Sequence, residues 1–309
     1  MNTETVDLGA VPLARGAPGA LRTTLVTLIR REFWEHAALW RAPAIVAALL
    51  MLVAVFSTSI AVNVNDTHVL HLDPATRIIA LNMTQMVWTM IIYLVAAVVV
   101  TFYTLDCLYT ERRDRSILFW KSLPVSDGLT VLAKFLVASA VVPLLVFVLA
   151  TASHLVALIV WKLRVTLAGA PDLIAWDALA WLRGEAVMLL ALTLSSLWYA
   201  PLVAAALLVS AWVRRSPVLW ATLPLIVLPI FEYLFFRTHY LWSFIKYRSG
   251  GIWHLLGQGG HPVDEERLRL LSDLNWVGAF LSPDLWLGLA AAAALLYAAA
   301  RVRRYRDDT

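Results

Sequence analysis

Six long apolar runs alternate with shorter polar segments along the chain, at 43–62, 78–105, 131–161, 186–213, 218–236 and 285–300. A helix needs about 20 mostly apolar residues to cross ~30 Å of hydrocarbon, and these six runs are read as spans on that scale. No water reaches backbone N–H and C=O groups in lipid, so each run is predicted to be helical. The second, third and fourth runs exceed the requirement and are predicted to tilt or to project beyond the layer. The pattern predicts an all-α polytopic membrane protein with six transmembrane helices.

Composition agrees. Of 309 residues, 61% are hydrophobic and 15% charged, against roughly 45–50% and about 25% in soluble domains. Net charge is +4, and the placement of Lys and Arg explains it. One side of the spans holds Arg15, Arg22, Arg30, Arg31, Arg41, Arg112, Arg113, Arg115, Lys121, Lys134, Arg214, Arg215 and the last four arginines; the other holds nine basic residues, Arg77, Lys162, Arg164 and Arg183 among them. This asymmetry predicts both termini in the cytoplasm and no nucleic-acid partner. Trp40, Trp161, Trp181, Trp212, Trp220 and Trp286 fall near predicted span ends, as interfacial rings do, whereas Trp88 and Trp198 fall inside spans and read as packing. The single cysteine, Cys107, excludes an internal disulfide and a cysteine metal cage. No cleavable signal peptide is visible, and residues 1–20, rich in Gly, Pro and Ala, are predicted to be disordered.

Three segments are not spans. Residues 21–42 place Val26, Ile29, Phe33, Ala37 and Trp40 at helical spacing with Arg30, Arg31, Glu32 and Glu35 off the stripe, which predicts an amphipathic helix on the cytoplasmic face, broken by Pro43. The loop 106–127 is dense in charge, then carries Ile117, Leu118, Phe119 and Trp120, and stops at Pro124. Ser126 or Asp127 caps the helix that follows. A short helix with exposed aromatics reads either as a docking surface for a partner or as an interfacial helix held by lipid. On the outside, 237–282 is too long for a simple turn and combines Trp242, Tyr247 and Trp253 with a glycine cluster and a helix-like run at 264–274. Interfacial or re-entrant helices fit it, either as a lid over an exit or as a passive cap.

In the 106–134 region, Glu111-Arg112, Ser116, Leu118, Ser122-Leu123-Pro124-Val125-Ser126 and Lys134 resemble the cytoplasmic loop of the type-2 permeases of ATP-binding-cassette (ABC) exporters. Arg31-Glu32-Phe33-Trp34-Glu35-His36 resembles that family's N-terminal elbow helix. Many members carry Gly where Ser116 stands. The resemblance implies a six-span permease domain (43–309) after an elbow (21–42), in a bacterial cytoplasmic membrane. It implies a coupling helix that docks one of two separate ATPase subunits through Glu111, Arg112, Arg113, Arg115, Ser116, Phe119, Trp120, Lys121 and Pro124, and extracellular gate helices bearing Trp242, Tyr247 and Trp253. A second permease chain, identical or a paralogue, completes the pathway. ATP and Mg belong to the partner. Consistent with that division, none of the 13 glycines is followed by Lys, so the chain has no phosphate-cradling Gly-Lys-Ser/Thr loop.

Other chemistry is weaker. Glu232 is the one acidic residue deep in a predicted run, which makes it a pathway candidate and the basis of an alternative reading, proton-coupled secondary transport; pairing with Arg237 or a Tyr is the structural explanation. His154 reads as a satisfied buried side chain. Asp66, His68, His71 and Asp73 are metal-ligand types without a specific spacing. No hydrolase or metalloprotease motif is present, and no catalytic residue, metal or cofactor is assigned to the chain.

Overall fold

The computed structural model describes residues 18–56, 74–122, 125–167, 169, 177–252 and 275–306. Among the described residues there are helices and no strand. They are α1 (Pro18–Glu35), α2 (Ala38–Phe56), α3 (Pro74–Arg113), α4 (Ser116–Ser122), α5 (Asp127–Leu167), α6 (Ala178–Trp212), α7 (Pro217–Phe236), α8 (Tyr240–Ser249), α9 (Trp276–Leu281) and α10 (Pro283–Tyr305). Helices α2, α3, α5, α6, α7 and α10 are long and apolar enough to cross a membrane. The architecture is that of an all-α, multi-pass membrane protein.

The apolar runs locate these helices but understate them. Helix α3 has 40 residues, α5 has 41 and α6 has 35, because each continues in polar turns past its apolar core. Pro43 does not break the helix at the membrane. The break falls at His36 and Ala37, and Pro43 lies inside α2. The turn before it is closed by tighter bonds, from Leu39 N–H to the His36 carbonyl (3.0 Å) and Trp40 N–H to the Ala37 carbonyl (3.4 Å). Pro143 acts differently. It has no N–H for the preceding turn, and α5 widens there into a π-turn at Val137–Val141.

Small residues set the closest approaches. Ala47 and Ala54 of α2 and Ala150 and Ala157 of α5 are buried in one core cluster. Ala200 and Ala204 of α6 pack with Ala292 of α10 in another. Tails of lipid are as apolar as Leu, so helix association in a membrane relies on such close backbone packing. Helix α7 is the exception: Pro217 is its sole buried residue, and its Leu, Ile and Phe side chains are exposed.

Helix α1 turns Ile29 and Phe33 of the predicted stripe inward, joined by Leu28 and by Glu32, which the spacing places off the stripe, while Val26 is exposed. Glu32 reverses the polarity of that face because a cation waits for it.

Candidate functional site

Helix α1, the C-terminal ends of α3, α6 and α10, and the N-terminal end of α5 meet around a buried ion network. Lys134, fully buried on α5, places Nζ 2.9 Å from both carboxylate oxygens of Glu32 on α1. The same ammonium lies 3.0 Å from Glu111 Oε1 on α3. Arg303 of α10 donates to Glu111 Oε2 and, through Nε, to Asp127 Oδ1 at 3.0 Å. Arg31 Nη2 donates to Glu32 (2.7 Å) and Glu111 (3.2 Å), and Tyr103 OH to Glu32 Oε2 (2.9 Å). Three carboxylates thus face three cations. Buried charges persist when paired and hydrogen-bonded in this way, and removing one partner leaves a costly uncompensated charge.

Burial would raise the Glu32 carboxyl, but Lys134 and Arg31 outweigh it and hold Glu32 below the ordinary carboxylate value. Burial raises the neighbouring Glu35 and lowers His36. Glu32, Glu35 and His36 bring ligand-type atoms within 4.8 Å of one another. Both Glu32 oxygens already face the Lys134 ammonium, whose charge opposes a metal cation there.

Arg112 leaves the network and closes α6. Its Nη2 donates to the carbonyls of Ser210 and Val213, 2.7 Å each. In return, Ser210 Oγ accepts the Leu108 and Tyr109 N–H groups at 3.1 Å. Glu111 and Arg112, proposed from the sequence as docking residues, therefore point into the chain. What they do is hold α3 to its neighbours.

The surface beside them belongs to α4. Arg115, in the left-handed region at φ 56°, makes the turn that swings α4 away from α3. Ser116 Oγ donates to the Glu111 carbonyl at 3.3 Å, and Ile117 is buried (7% exposed). The Arg31 guanidinium lies over Trp120, 4.0 Å from the ring centre, and Phe119 meets Trp120 edge on at 4.9 Å. Phe119 itself is 61% exposed. Arg113 is exposed and bonds Asp114 (3.0 Å), and Arg115 is exposed too. Lys121 lies in the last turn of α4, and Pro124 lies outside the described residues. Ser126 caps α5 by accepting Leu129 N–H at 3.2 Å, which frees Asp127 for Arg303.

At the opposite end, α7 turns back through Arg237 in the left-handed region (φ 53°) into α8. Glu232 caps α8. Its oxygens accept from Thr238 Oγ1, Tyr240 N and Leu241 N, each at 2.7 Å. Arg237 does not pair with it but lies over Tyr233, 5.5 Å from the ring centre. Tyr247 donates to Asp284 at 2.7 Å and packs edge on against Trp198 (5.5 Å). Burial, then the Asp284 bond, pushes the Tyr247 hydroxyl up to about 12. Trp242 is exposed. Trp253, the run 264–274, and Asp66, His68, His71 and Asp73 lie outside the described residues.

Inside the bundle, the reading of His154 as a satisfied side chain needs correction. His154 is buried (1% exposed), but neither ring nitrogen has a hydrogen-bond partner. Trp88 packs, and also donates to Ser153 Oγ at 2.9 Å. Among the described residues the spans bury two acids, Glu111 on α3 (6% exposed), in the ion network, and Glu185 on α6 (7% exposed), one position before the apolar run that predicts α6.

No family model, curated protein or solved structure matches the chain.

Proposed function

We propose that this chain is the membrane subunit of an ABC exporter, with α4 as the coupling helix that docks a separate ATPase and the ion network as its transmission. The observation that carries this reading is the mounting of α4. An exposed Phe119 sits on a seven-residue helix whose other side is fastened, through Ser116 and the Arg31–Trp120 contact, to α3 and α1, which buried ion pairs join to α5 and α10. A push on α4 reaches α1, α3, α5 and α10 together. A lipid-held interfacial helix needs no such anchorage.

On this reading the network end faces the cytoplasm of a bacterium, where the basic residues concentrate. ATP-driven closure of two ATPase copies moves α4, and the spans exchange inward-open and outward-open packings. Catalysis, with ATP and Mg, lies in the partner. Exposed α7, beside a cavity of about 660 Å³ lined by His36, Leu39, Phe102, Tyr103 and Pro217, is the side offered to a second permease chain. Helices α8 and α9, with Trp242 and Tyr247, serve as the outer gate. Proton coupling through Glu232 has less support, because its carboxylate is spent on capping α8.

Purification of the tagged chain from its host in mild detergent tests the assignment. A stoichiometric partner carrying a Gly-Lys-Ser/Thr phosphate loop is the expected result; recovery of the chain alone, under conditions that preserve known complexes, contradicts it.

A further inference from the structure

A cavity of about 400 Å³ lies between α3 and α6, under the turn that follows α8, in the half of the bundle away from the ion network. Small-molecule sites are clefts of roughly 300–1,000 Å³, mostly apolar, with a few placed polar groups. The roof of this one is fastened to its wall. Trp198 Nε1 donates to the Arg248 carbonyl at 3.0 Å and Tyr199 OH to the Ser249 carbonyl at 3.2 Å, so α6 holds the end of α8 over the cavity. Gly251 completes the turn at φ 69°, where a Cβ would lie 2.8 Å from Tyr199 OH and displace the phenol.

The lining selects the ligand. None of its fifteen residues carries a charge, so an ion would enter without a counter-charge to offset its desolvation. Met86, Met90 and Met188, half of the six methionines in the chain, stand around the space. Thioethers adapt to irregular shapes and lie favourably against aromatic rings. The cavity is also lined by the hydroxyls of Thr89, Tyr93 and Ser195, which have no hydrogen-bond partner among the described residues. Serine and threonine in a helix can return their proton to the preceding turn, as Thr193 and Ser196 do here to the Leu189 and Leu192 carbonyls (2.7 and 2.8 Å). A tyrosine such as Tyr93 has no such outlet, because its hydroxyl lies beyond the carbonyls of its own helix. Carbonyl oxygens would accept from these donors, whereas a bare hydrocarbon would leave them unpaired.

We propose that this cavity binds an uncharged aromatic molecule bearing carbonyl oxygens, with the methionine thioethers against its rings and the Tyr93, Thr89 and Ser195 hydroxyls donating to its carbonyls. As a cargo class this rests on the exporter reading; as a binding site it does not. It is tested on the chain without an ATPase, so its failure leaves the coupling assignment standing, and the converse also holds.

The test is photolabelling of the purified full chain in phosphatidylcholine nanodiscs with benzophenone, a neutral aromatic ketone that inserts into nearby C–H bonds under near-ultraviolet light. Peptide mass spectrometry maps the adducts. Expected is saturable labelling at Met86, Met90 or Met188, above that at Met51 on α2, outside the cavity. Phenyl benzoate, which keeps the carbonyl, should suppress it, and diphenylmethane, which lacks one, should do so poorly. The anionic 4-benzoylbenzoate should not label these methionines. Tyr93→Phe should raise the half-saturating concentration about threefold or more, with the thermal midpoint unchanged. Ala191→Phe, which fills the cavity, should abolish labelling there and spare Met51; Tyr93→Phe covers the case in which it fails to fold. Labelling that never saturates and is equal at Met51 marks partition into lipid alone and overturns the proposal. Equal suppression by diphenylmethane, equal labelling by 4-benzoylbenzoate, or an unchanged Tyr93→Phe chain overturns it too.

Discussion

Lys134 and Glu32 lie 102 positions apart in the sequence, yet the ammonium sits 2.9 Å from both carboxylate oxygens, and both side chains are shielded from solvent. This pair fastens an amphipathic helix to the start of a span. Glu111 and Arg303 extend the fastening to two more helices. In a buried network the cost of deletion comes from the charge left behind.

Lys134→Met should therefore lower stability by about 3–5 kcal/mol, the range for stranding a buried charge. Adding Glu32→Gln should restore part of the loss. Thermal midpoints in one detergent for both single variants and the double variant check this. Strictly additive losses would show that the two residues do not act as a pair.

Phe119→Ala and Ile117→Ala separate docking from folding. Phe119 is exposed and Ile117 buried on the same short helix. Phe119→Ala should leave the thermal midpoint unchanged while abolishing ATPase association. Ile117→Ala should cost about 2 kcal/mol of stability by leaving a cavity under α4. A Phe119→Ala chain that still carries its ATPase would place the docking surface elsewhere.

Acid should loosen α1. Glu32 titrates below its ordinary value of 4.5 in the folded chain and His36 below 6.5. Both are lowered, so both contribute stability that is present above those ordinary values and is lost as pH falls through the folded ones. Glu35 is raised and acts in the opposite sense, since its protonation favours the folded form; it is the more exposed carboxyl and opposes weakly. A spin label at Thr27, an exposed position on α1, should gain mobility as pH drops from 7 through 6 towards 4. Unchanged mobility across that range would contradict the ion-pair account of the elbow.

Glu232→Gln tests cap against carrier. An amide keeps one acceptor but presents N–H to a backbone donor, so amide exchange at Tyr240 and Leu241 should accelerate. Transport should persist with altered rate. Complete loss of transport with exchange at those amides unchanged would support a proton-carrying role.

The six apolar runs, the Ser126 cap and the segment containing α4 were legible because each is written locally, in hydrophobic length or in residues a turn apart. The ion network was not. Nothing within ten residues of Glu32 shows that Lys134 faces it, so Glu32 reads as solvent-facing although Ile29 and Phe33 beside it are rightly placed inward. Glu111 and Arg112 stand out as charges in a loop, but whether they face a partner or their own chain depends on where α6 and α10 end. Glu232 was visible as an anomaly, yet its partners are backbone N–H groups that exist only once the chain doubles back at Arg237. Glu185 escaped notice for a simpler reason: Arg183, Gly184 and Glu185 itself interrupt the apolar pattern and hide the true start of α6 at Ala178.

The most direct test of the central claim is site-specific photo-cross-linking in the intact membrane, with p-benzoylphenylalanine at Phe119 on α4 and, as the opposite-end control, at Trp242 on α8. The account predicts that Phe119 cross-links to a nucleotide-binding ATPase and Trp242 does not. Lipid adducts alone at Phe119, or ATPase cross-links at Trp242, would contradict it.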